Sequence, residues 1–235
     1  MIQPLASDSR EPPARMHRLP GLIPAEVCAR WRRVAEMHAS SVRCRDVPAI
    51  DLEYVCARLA AASVFAAHRD LLGARPACNL DECWLRRQFA VRPGRPGAGP
   101  HSWHQDGALR HVYAGDATPA AGDTALLDML TCWIALGPCG ADAPGLELLR
   151  TGRLGLVEPP QLQPDAIARR FGAAARWRPG MAAGDALVFA GDVLHRTHTL
   201  PSMTRDRSSV ELRFLDGERW PQRLEGDRRA WALPA

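Results

Sequence analysis

Two stretches in the first third of the chain carry apolar residues at the three- and four-residue spacing of an amphipathic helix. The first begins at Pro24 and presents its apolar side from Val27 to Met37. The second runs from about Asp51 to Leu72. We expect both helices to pack against a core. Residues 1–20 are polar and rich in proline, and we expect them to form a loose arm.

Beyond Pro76 the pattern changes to short apolar runs separated by glycine and proline, which predicts strands and turns. The runs with the length of a strand are Cys83–Arg92, Thr124–Leu136, Gly145–Leu149, Asp185–Phe189 and Ser209–Phe214. One further helix is expected at Gln163–Phe171, with Pro164 in its first turn. The pattern indicates a single, mainly β domain over residues 1–235, in which helices of residues 21–75 flank a β core at 80–215.

Composition excludes several classes of function. No run of about 18 apolar residues occurs, so no membrane segment is expected, and residues 1–20 lack the apolar stretch of a secretory signal. All 30 basic residues are arginine, which excludes the lysine-dependent chemistry of P-loop proteins, kinases and Schiff-base enzymes. The net charge of +4 comes from scattered arginines, so no nucleic-acid partner is expected. Seven cysteines without a CxxC spacing favour reduced thiols in a cytoplasmic protein.

Candidate chemistry is concentrated in the segment His101-Ser-Trp-His104-Gln-Asp106-Gly107, which follows a loop rich in glycine and proline. In an extended chain the side chains of His104 and Asp106 point to the same face, because side chains alternate along a strand. His195 stands at the end of a predicted strand and would complete a set of two imidazoles and one carboxylate. Such a set leaves coordination positions open and is typical of non-haem Fe(II) oxygenases. Each residue alone has an ordinary explanation, and only the combination favours a metal site.

The same residues resemble the phytanoyl-CoA dioxygenase-like branch of the Fe(II)- and 2-oxoglutarate-dependent dioxygenases. His104-Gln105-Asp106 is similar to the HQD motif of this family. The turn at Gly184-Asp185, followed by His195, is similar to the second metal-binding segment of the family. The resemblance therefore implies that His104, Asp106 and His195 are the metal ligands.

Three further positions follow from the resemblance. The family carries an arginine beyond the last histidine, which pairs with the distal carboxylate of 2-oxoglutarate. The candidates here are Arg205, Arg207 and Arg213, and alignment of the strand that follows favours Arg207. Trp133 resembles the tryptophan that borders the 2-oxoglutarate pocket. The lysine that assists 2-oxoglutarate in relatives has no counterpart in this chain, so Gln88, or an arginine next to it, would replace it.

The resemblance implies a double-stranded β-helix, which is a cupin-like jelly roll, over roughly residues 83–214. It also implies Fe(II), 2-oxoglutarate and O2 as cofactor and cosubstrates, and hydroxylation of a small molecule as the reaction. Asp106 favours hydroxylation over halogenation, because halogenases of this class leave that ligand position to chloride. The family's Pro-Gly-Ser-His stretch is replaced here by Leu149-Arg-Thr-Gly152, so the identity of the substrate does not transfer from the family.

Two other functions fit the residues: a cupin-like metalloprotein with hydrolase or isomerase chemistry, and a non-catalytic relative that binds a ligand. Arg207 argues against a hydrolase, which does not need it, and the intact ligand set argues against the non-catalytic relative. His101 and His198 are rival ligands, but in an extended chain they face the opposite side from His104 and His195. The sequence leaves the substrate open, and it does not decide between a monomer and a homodimer.

Overall fold

Two antiparallel sheets make up the β part of the protein. The computed structural model describes residues 15–79, 82–90, 100–108, 126–219 and 228–230. These residues form the strands β1 (Met16–Leu19), β2 (Val42–Arg43), β3 (Pro76–Asn79), β4 (Trp84–Gln88), β5 (Met129–Ala135), β6 (Gly145–Leu149), β7 (Arg176–Trp177), β8 (Ala186–Ala190), β9 (His195–His198), β10 (Arg207–Asp216) and β11 (Arg228–Ala230). The larger sheet has the order β1-β8-β5-β10-β3-β11, with β4 pairing with β10 and β2, and the smaller sheet has the order β7-β6-β9.

Strand β10 is the longest and lies in the middle of the larger sheet. One of its edges pairs with β5, and the other edge pairs with β4 in its first half and with β3 in its second half. Every residue of β5, β6, β8 and β10 is buried. Strands that are covered on both faces need apolar residues at successive positions, which explains the continuous apolar runs in the sequence.

The two sheets enclose a common interior. Leu146 of β6 and Thr197 of β9, from the smaller sheet, line the same cavity as Trp133 of β5 and Phe189 of β8, from the larger sheet. The arrangement is that of a jelly roll, so the predicted mainly β fold is confirmed. Functional side chains that point into this interior come from both sheets.

Helices cover the outer side of the larger sheet. They are α1 (Ala25–Met37), α2 (Leu52–Ala61), α3 (Val64–Ala67) and α4 (Arg69–Leu72). A further helix, α5 (Pro164–Phe171), follows strand β6 of the smaller sheet. Helix α1 packs against β4 and β10, and α4 packs against β5 and β10. The buried residues of α1 are Cys28, Trp31 and Ala35, which recur at the helical spacing. The helices therefore pack on β10, which carries more buried polar residues than any other described strand.

The predicted helix from Asp51 to Leu72 is three helices in the structure. Asp51 caps α2, because its side chain accepts a hydrogen bond from the backbone N–H of Tyr54. Ser63 has a φ of 58°, in the left-handed region, and ends the first helix before α3 begins. His68 separates α3 from α4. The apolar spacing continues through both breaks, so the sequence pattern does not mark them.

The loose arm predicted for residues 1–20 is wrong for its last part. Met16–Leu19 forms β1, which pairs with β8 at the end of the larger sheet, while residues 1–14 lie outside the described residues. Two ion pairs fix the strand: Arg15 lies 2.7 Å from Asp192, and Arg18 lies 2.8 Å from Asp185. The arginines that make this segment polar in sequence are therefore partners of carboxylates at the two ends of β8.

The strand predictions differ in accuracy. Gly145–Leu149 is confirmed residue for residue, β4 and β5 are shorter than predicted, and residues 91–92 and 124–125 of those predictions lie outside the described residues. The strands β2, β3, β7, β9 and β11 were not predicted. All five span only two to four residues, and β9 carries polar and basic residues that hide its strand character.

Gly184 is held in a conformation that other residues avoid. Its φ is +88°, and a Cβ atom there would fall on the carbonyl oxygen of Ile23. We expect Gly184→Ala to lower the free energy of unfolding by at least about 2 kcal/mol, because it adds both strain and a clash. Gly172→Ala is the matched control, since Gly172 has a φ of +69° but open space around it. Urea denaturation should show a smaller loss for Gly172→Ala, and equal losses would contradict the role of the contact.

Candidate metal centre

The two histidines of the predicted ligand set lie opposite each other in an isolated antiparallel bridge. The backbone N–H of His104 donates to the carbonyl of His195 at 3.0 Å, and the reciprocal hydrogen bond is 3.1 Å long. The ring centroids are 4.1 Å apart. A segment just after a loop and the first residue of β9 are thereby brought together across 91 positions of sequence.

Asp106 completes the cluster. Its Oδ1 lies 3.7 Å from Nε2 of His104 and 3.7 Å from Nε2 of His195. The three ligand atoms all lie within 4.8 Å of one another, and no other such cluster of His, Cys, Asp or Glu occurs among the described residues. The predicted alternation is correct, because His104 and Asp106 point to the same side.

The backbone fixes which ring nitrogen of each histidine is available. Nδ1 of His104 lies 2.7 Å from the carbonyl oxygen of Ser102, and Nδ1 of His195 lies 3.0 Å from that of Val193. A carbonyl only accepts, so Nδ1 carries the proton and Nε2 keeps its lone pair. Burial, together with the neighbouring imidazole of His195, lowers the pKa of His104 to about 4. His104 is therefore neutral at pH 7, as a metal ligand must be.

The Asp106 carboxylate is buried and held at both oxygens. Thr131 donates its hydroxyl to Oδ2 at 2.6 Å, and Arg213 donates Nη2 to Oδ1 at 2.6 Å. Burial by itself raises the pKa of Asp106, but Arg213 and the two imidazoles hold it well below its usual range. The donor set is thus two imidazole nitrogens and one ionised carboxylate, which fits a divalent first-row metal such as Fe(II).

Beside this cluster is a cavity that His104 and His195 help to line. Arg207 projects into it from β10, with its guanidinium 5.1 Å from the ring centre of Trp133. Nε and Nη1 of Arg207 are buried and have no hydrogen-bond partner within the part of the chain that the structure describes. Burial lowers the pKa of Arg207 to about 10, so the side chain is cationic at pH 7. A buried cation with unused donors calls for an anionic ligand, such as a carboxylate.

A family model for phytanoyl-CoA dioxygenase (PhyH) matches residues 16–207, which include all three candidate ligands and Arg207. The chain belongs to the phytanoyl-CoA dioxygenase family. The resemblance inferred from the HQD motif is therefore confirmed, and with it membership of the 2-oxoglutarate- and Fe(II)-dependent dioxygenases.

Several solved structures share the fold of this chain. EctD from S. alaskensis superposes with a TM-score of 0.60 at 18% identity, covering 97% of this chain and 81% of that one. The 2-oxoglutarate-dependent epimerase SnoN from nogalamycin biosynthesis gives 0.56 at 18% identity, with 86% and 78% covered. HygX from Streptomyces hygroscopicus, solved with nickel and 2-oxoglutarate, gives 0.55 at 14% identity, with 92% and 93% covered. At these identities the likeness establishes the fold.

Two further comparisons are negative. No functionally curated protein gives a significant sequence match. Among the described helices, none is long and apolar enough to cross a membrane.

The other arginines proposed for the cosubstrate of this dioxygenase lie elsewhere. Arg205 is exposed, and Arg213 is buried against Asp106. On β4, alternation places Arg86 at the cavity, where its Nε donates to Glu211 at 2.7 Å. Gln88 lies on the same face of β4 and opposite Arg207 in the ladder, but it does not line the cavity, and its amide contacts the carbonyl of Phe89. Arg86, rather than Gln88, reaches the site.

Gln105, between the two ligands of the HQD motif, has a supporting role that sequence reasoning missed. Its Nε2 donates to the carbonyls of Gly155 and Asp192 at 3.0 and 2.9 Å, and its Oε1 accepts from the N–H of Val157 at 2.8 Å. The side chain is 1% exposed. It ties the metal-binding segment to two loops. In the sequence, the only sign of this supporting role is that an amide residue stands between the two proposed ligands.

Proposed function

We propose that the protein is an Fe(II)- and 2-oxoglutarate-dependent oxygenase that hydroxylates an unactivated C–H bond of a small molecule. The proposal is carried by the buried guanidinium of Arg207, whose Nε and Nη1 have no partner among the described residues, in a cavity that the two histidines also line. Iron bound with 2-oxoglutarate and O2 supplies the oxidising power, while 2-oxoglutarate is converted to succinate and CO2.

The residues of this chain hold and orient the reactants. His104, Asp106 and His195 would bind iron from one side, which leaves the remaining coordination positions open towards the cavity. Arg207 would pair with the distal carboxylate of 2-oxoglutarate through its unused donors. Trp133 packs under that guanidinium and fixes its plane. The cosubstrate would then be held at one end by Arg207 and at the other by the metal.

Asp106 at the third ligand position disfavours halogenation, and hydroxylation is proposed ahead of desaturation, cyclisation and epimerisation, which the same ligand set also supports. A hydrolase or isomerase on the same fold has no use for an unpaired buried arginine next to its metal, so Arg207 disfavours the cupin-type alternative. The odd number of cysteines and the lack of a CxxC spacing support a reducing compartment such as the cytoplasm.

An anaerobic titration of the metal-free protein with Fe(II) and then 2-oxoglutarate tests the proposal. We expect a weak visible charge-transfer band only when both are present, because the keto acid end of 2-oxoglutarate must chelate the bound iron. Succinate is the matched control, since it carries both carboxylates without the keto group and should give no band. Iron binding without a band would contradict the oxygenase proposal and favour another metal chemistry. Failure to bind iron would contradict the metal site itself.

A further inference from the structure

Arg213 of β10 is enclosed by three carboxylates. Its Nη2 lies 2.6 Å from Oδ1 of Asp106 and 3.0 Å from Oε1 of Glu211, and its Nη1 lies 2.8 Å from Oε2 of Glu82. All four side chains are at most 10% exposed. Arg213 is therefore occupied by the protein itself, in contrast to Arg207, whose donors point into the cavity.

Arg213 shares one oxygen of Asp106 with the position of the metal. Oδ1 is the oxygen that lies 3.7 Å from Nε2 of both His104 and His195. The other oxygen, Oδ2, is held by Thr131. Arg213 and Thr131 are paired directly across the β10–β5 ladder. Two adjacent strands of the larger sheet thus hold the two oxygens of one ligand.

We propose that Arg213 is a positioning residue, which holds Asp106 as a one-oxygen ligand and so strengthens metal binding. The inference rests on the proposed metal site. A carboxylate oxygen has two lone pairs, so Oδ1 can accept a hydrogen bond from Arg213 and bind a metal at the same time. A ligand that is already fixed loses less conformational freedom when the metal binds.

The positive charge of Arg213 opposes a divalent metal, but its surroundings offset that charge. Glu82 and Glu211 both lie within 3.0 Å of the same guanidinium. Arg43 and Arg86 also pair with Glu82 and Glu211, so three arginines balance three carboxylates in this cluster, and no net positive charge opposes the cation. The net effect of Arg213 on metal affinity is therefore set by how it orients Asp106, and that effect is favourable.

Co(II) affinity of the full-length protein, measured by visible absorption, tests this role. We expect Arg213→Gln to weaken Co(II) binding by about 10- to 100-fold, as is typical when the hydrogen-bond partner of a ligand is removed. Arg213→Lys should lose less, because it keeps a charged donor but not the planar fork. The affinity of the Co(II)-saturated protein for 2-oxoglutarate should change by less than about twofold, because Arg207 is a separate contact.

A control variant removes an arginine–glutamate ion pair that includes none of the proposed metal ligands. Arg178 lies 2.7 Å from the fully buried carboxylate of Glu147, and Arg178→Gln should leave Co(II) affinity unchanged. Wild-type Co(II) affinity in folded Arg213→Gln would overturn the proposal and leave Arg213 a purely structural residue. Loss of 2-oxoglutarate binding with unchanged Co(II) affinity would also overturn it, because Arg213 would then be the cosubstrate arginine.

Glu82→Gln keeps the test decisive if Arg213→Gln does not fold. Glu82 pairs with Arg213 and Arg43 and with none of the proposed ligands, so Glu82→Gln would act on Co(II) by releasing Arg213 and by removing one negative charge. We expect a smaller loss than for Arg213→Gln, and unchanged affinity in both Glu82→Gln and Arg213→Lys would overturn the proposal. Wild-type protein that binds Co(II) but not 2-oxoglutarate would end the oxygenase proposal alone. Wild-type protein that does not bind Co(II) would end both.

Discussion

Replacing His104 with alanine should abolish turnover while the protein stays folded. His104 is one of three proposed ligands, and its side chain is 30% exposed at the cavity, so its loss removes a metal contact without opening the core. We expect the conversion of 2-oxoglutarate to succinate to fall by at least about 1000-fold, because a two-ligand site no longer holds the metal in place. The Fe(II)-dependent charge-transfer band should disappear with it.

The control for this prediction is a histidine on the same strand as the second ligand. His198 lies three residues beyond His195 on β9, close to the charges of Arg178 and Glu147 rather than to the metal position. His198→Asn should keep both the succinate yield and the band. If His104→Ala remained active while His198→Asn did not, the rival assignment of His198 as a ligand would be preferred.

Replacing Arg207 with alanine should weaken 2-oxoglutarate binding and leave metal binding nearly unchanged. Removing one partner of a buried, charge-assisted pair costs about 2–4 kcal/mol, which corresponds to an increase of about 30- to 1000-fold in the dissociation constant. Titration of the Fe(II)-loaded protein with 2-oxoglutarate measures this directly. Co(II) affinity in the absence of 2-oxoglutarate should stay within about threefold of wild type, because Arg207 contacts no ligand of the metal.

Arg205 provides the matched control for Arg207, since it is an arginine only two residues away and is exposed. Arg205→Ala should leave 2-oxoglutarate affinity at the wild-type value. A large loss in Arg205→Ala with none in Arg207→Ala would show that the cosubstrate is bound outside the cavity, and the proposed orientation of 2-oxoglutarate would be wrong.

The sequence predicts the ligand set because each ligand carries a local signal. His104 and Asp106 are separated by one residue, so alternation alone places them on one face, and the apolar run before His195 marks the strand that ends next to it. Arg207 follows from the resemblance to the family. The buried strands β5 and β8 are visible for the same reason, since full burial requires consecutive apolar residues.

The rest depends on contacts between positions that are distant in sequence. The pair of Arg213 and Glu82 spans 131 residues, and that of Arg213 and Asp106 spans 107. No spacing rule connects such positions, so Arg213 in the sequence is only one arginine among 30. For a related reason, the sequence alone does not show whether Arg86 or Gln88 reaches the cavity. Alternation puts both side chains on one face of β4, and only the packing against β10 determines which one lines the cavity.

Strand β1 affects whether shortened versions of the protein would self-associate. Met16–Leu19 covers the hydrogen-bonding edge of β8, and the Arg15–Asp192 and Arg18–Asp185 ion pairs fasten it at both ends. Removing residues 1–20 would uncover that edge of β8, whose five residues are buried and apolar, and would leave the backbone groups that now bond to β1 without partners. Such an edge is a template for intermolecular strand pairing, so shortened versions of the protein are prone to self-association, even though the metal ligands are untouched.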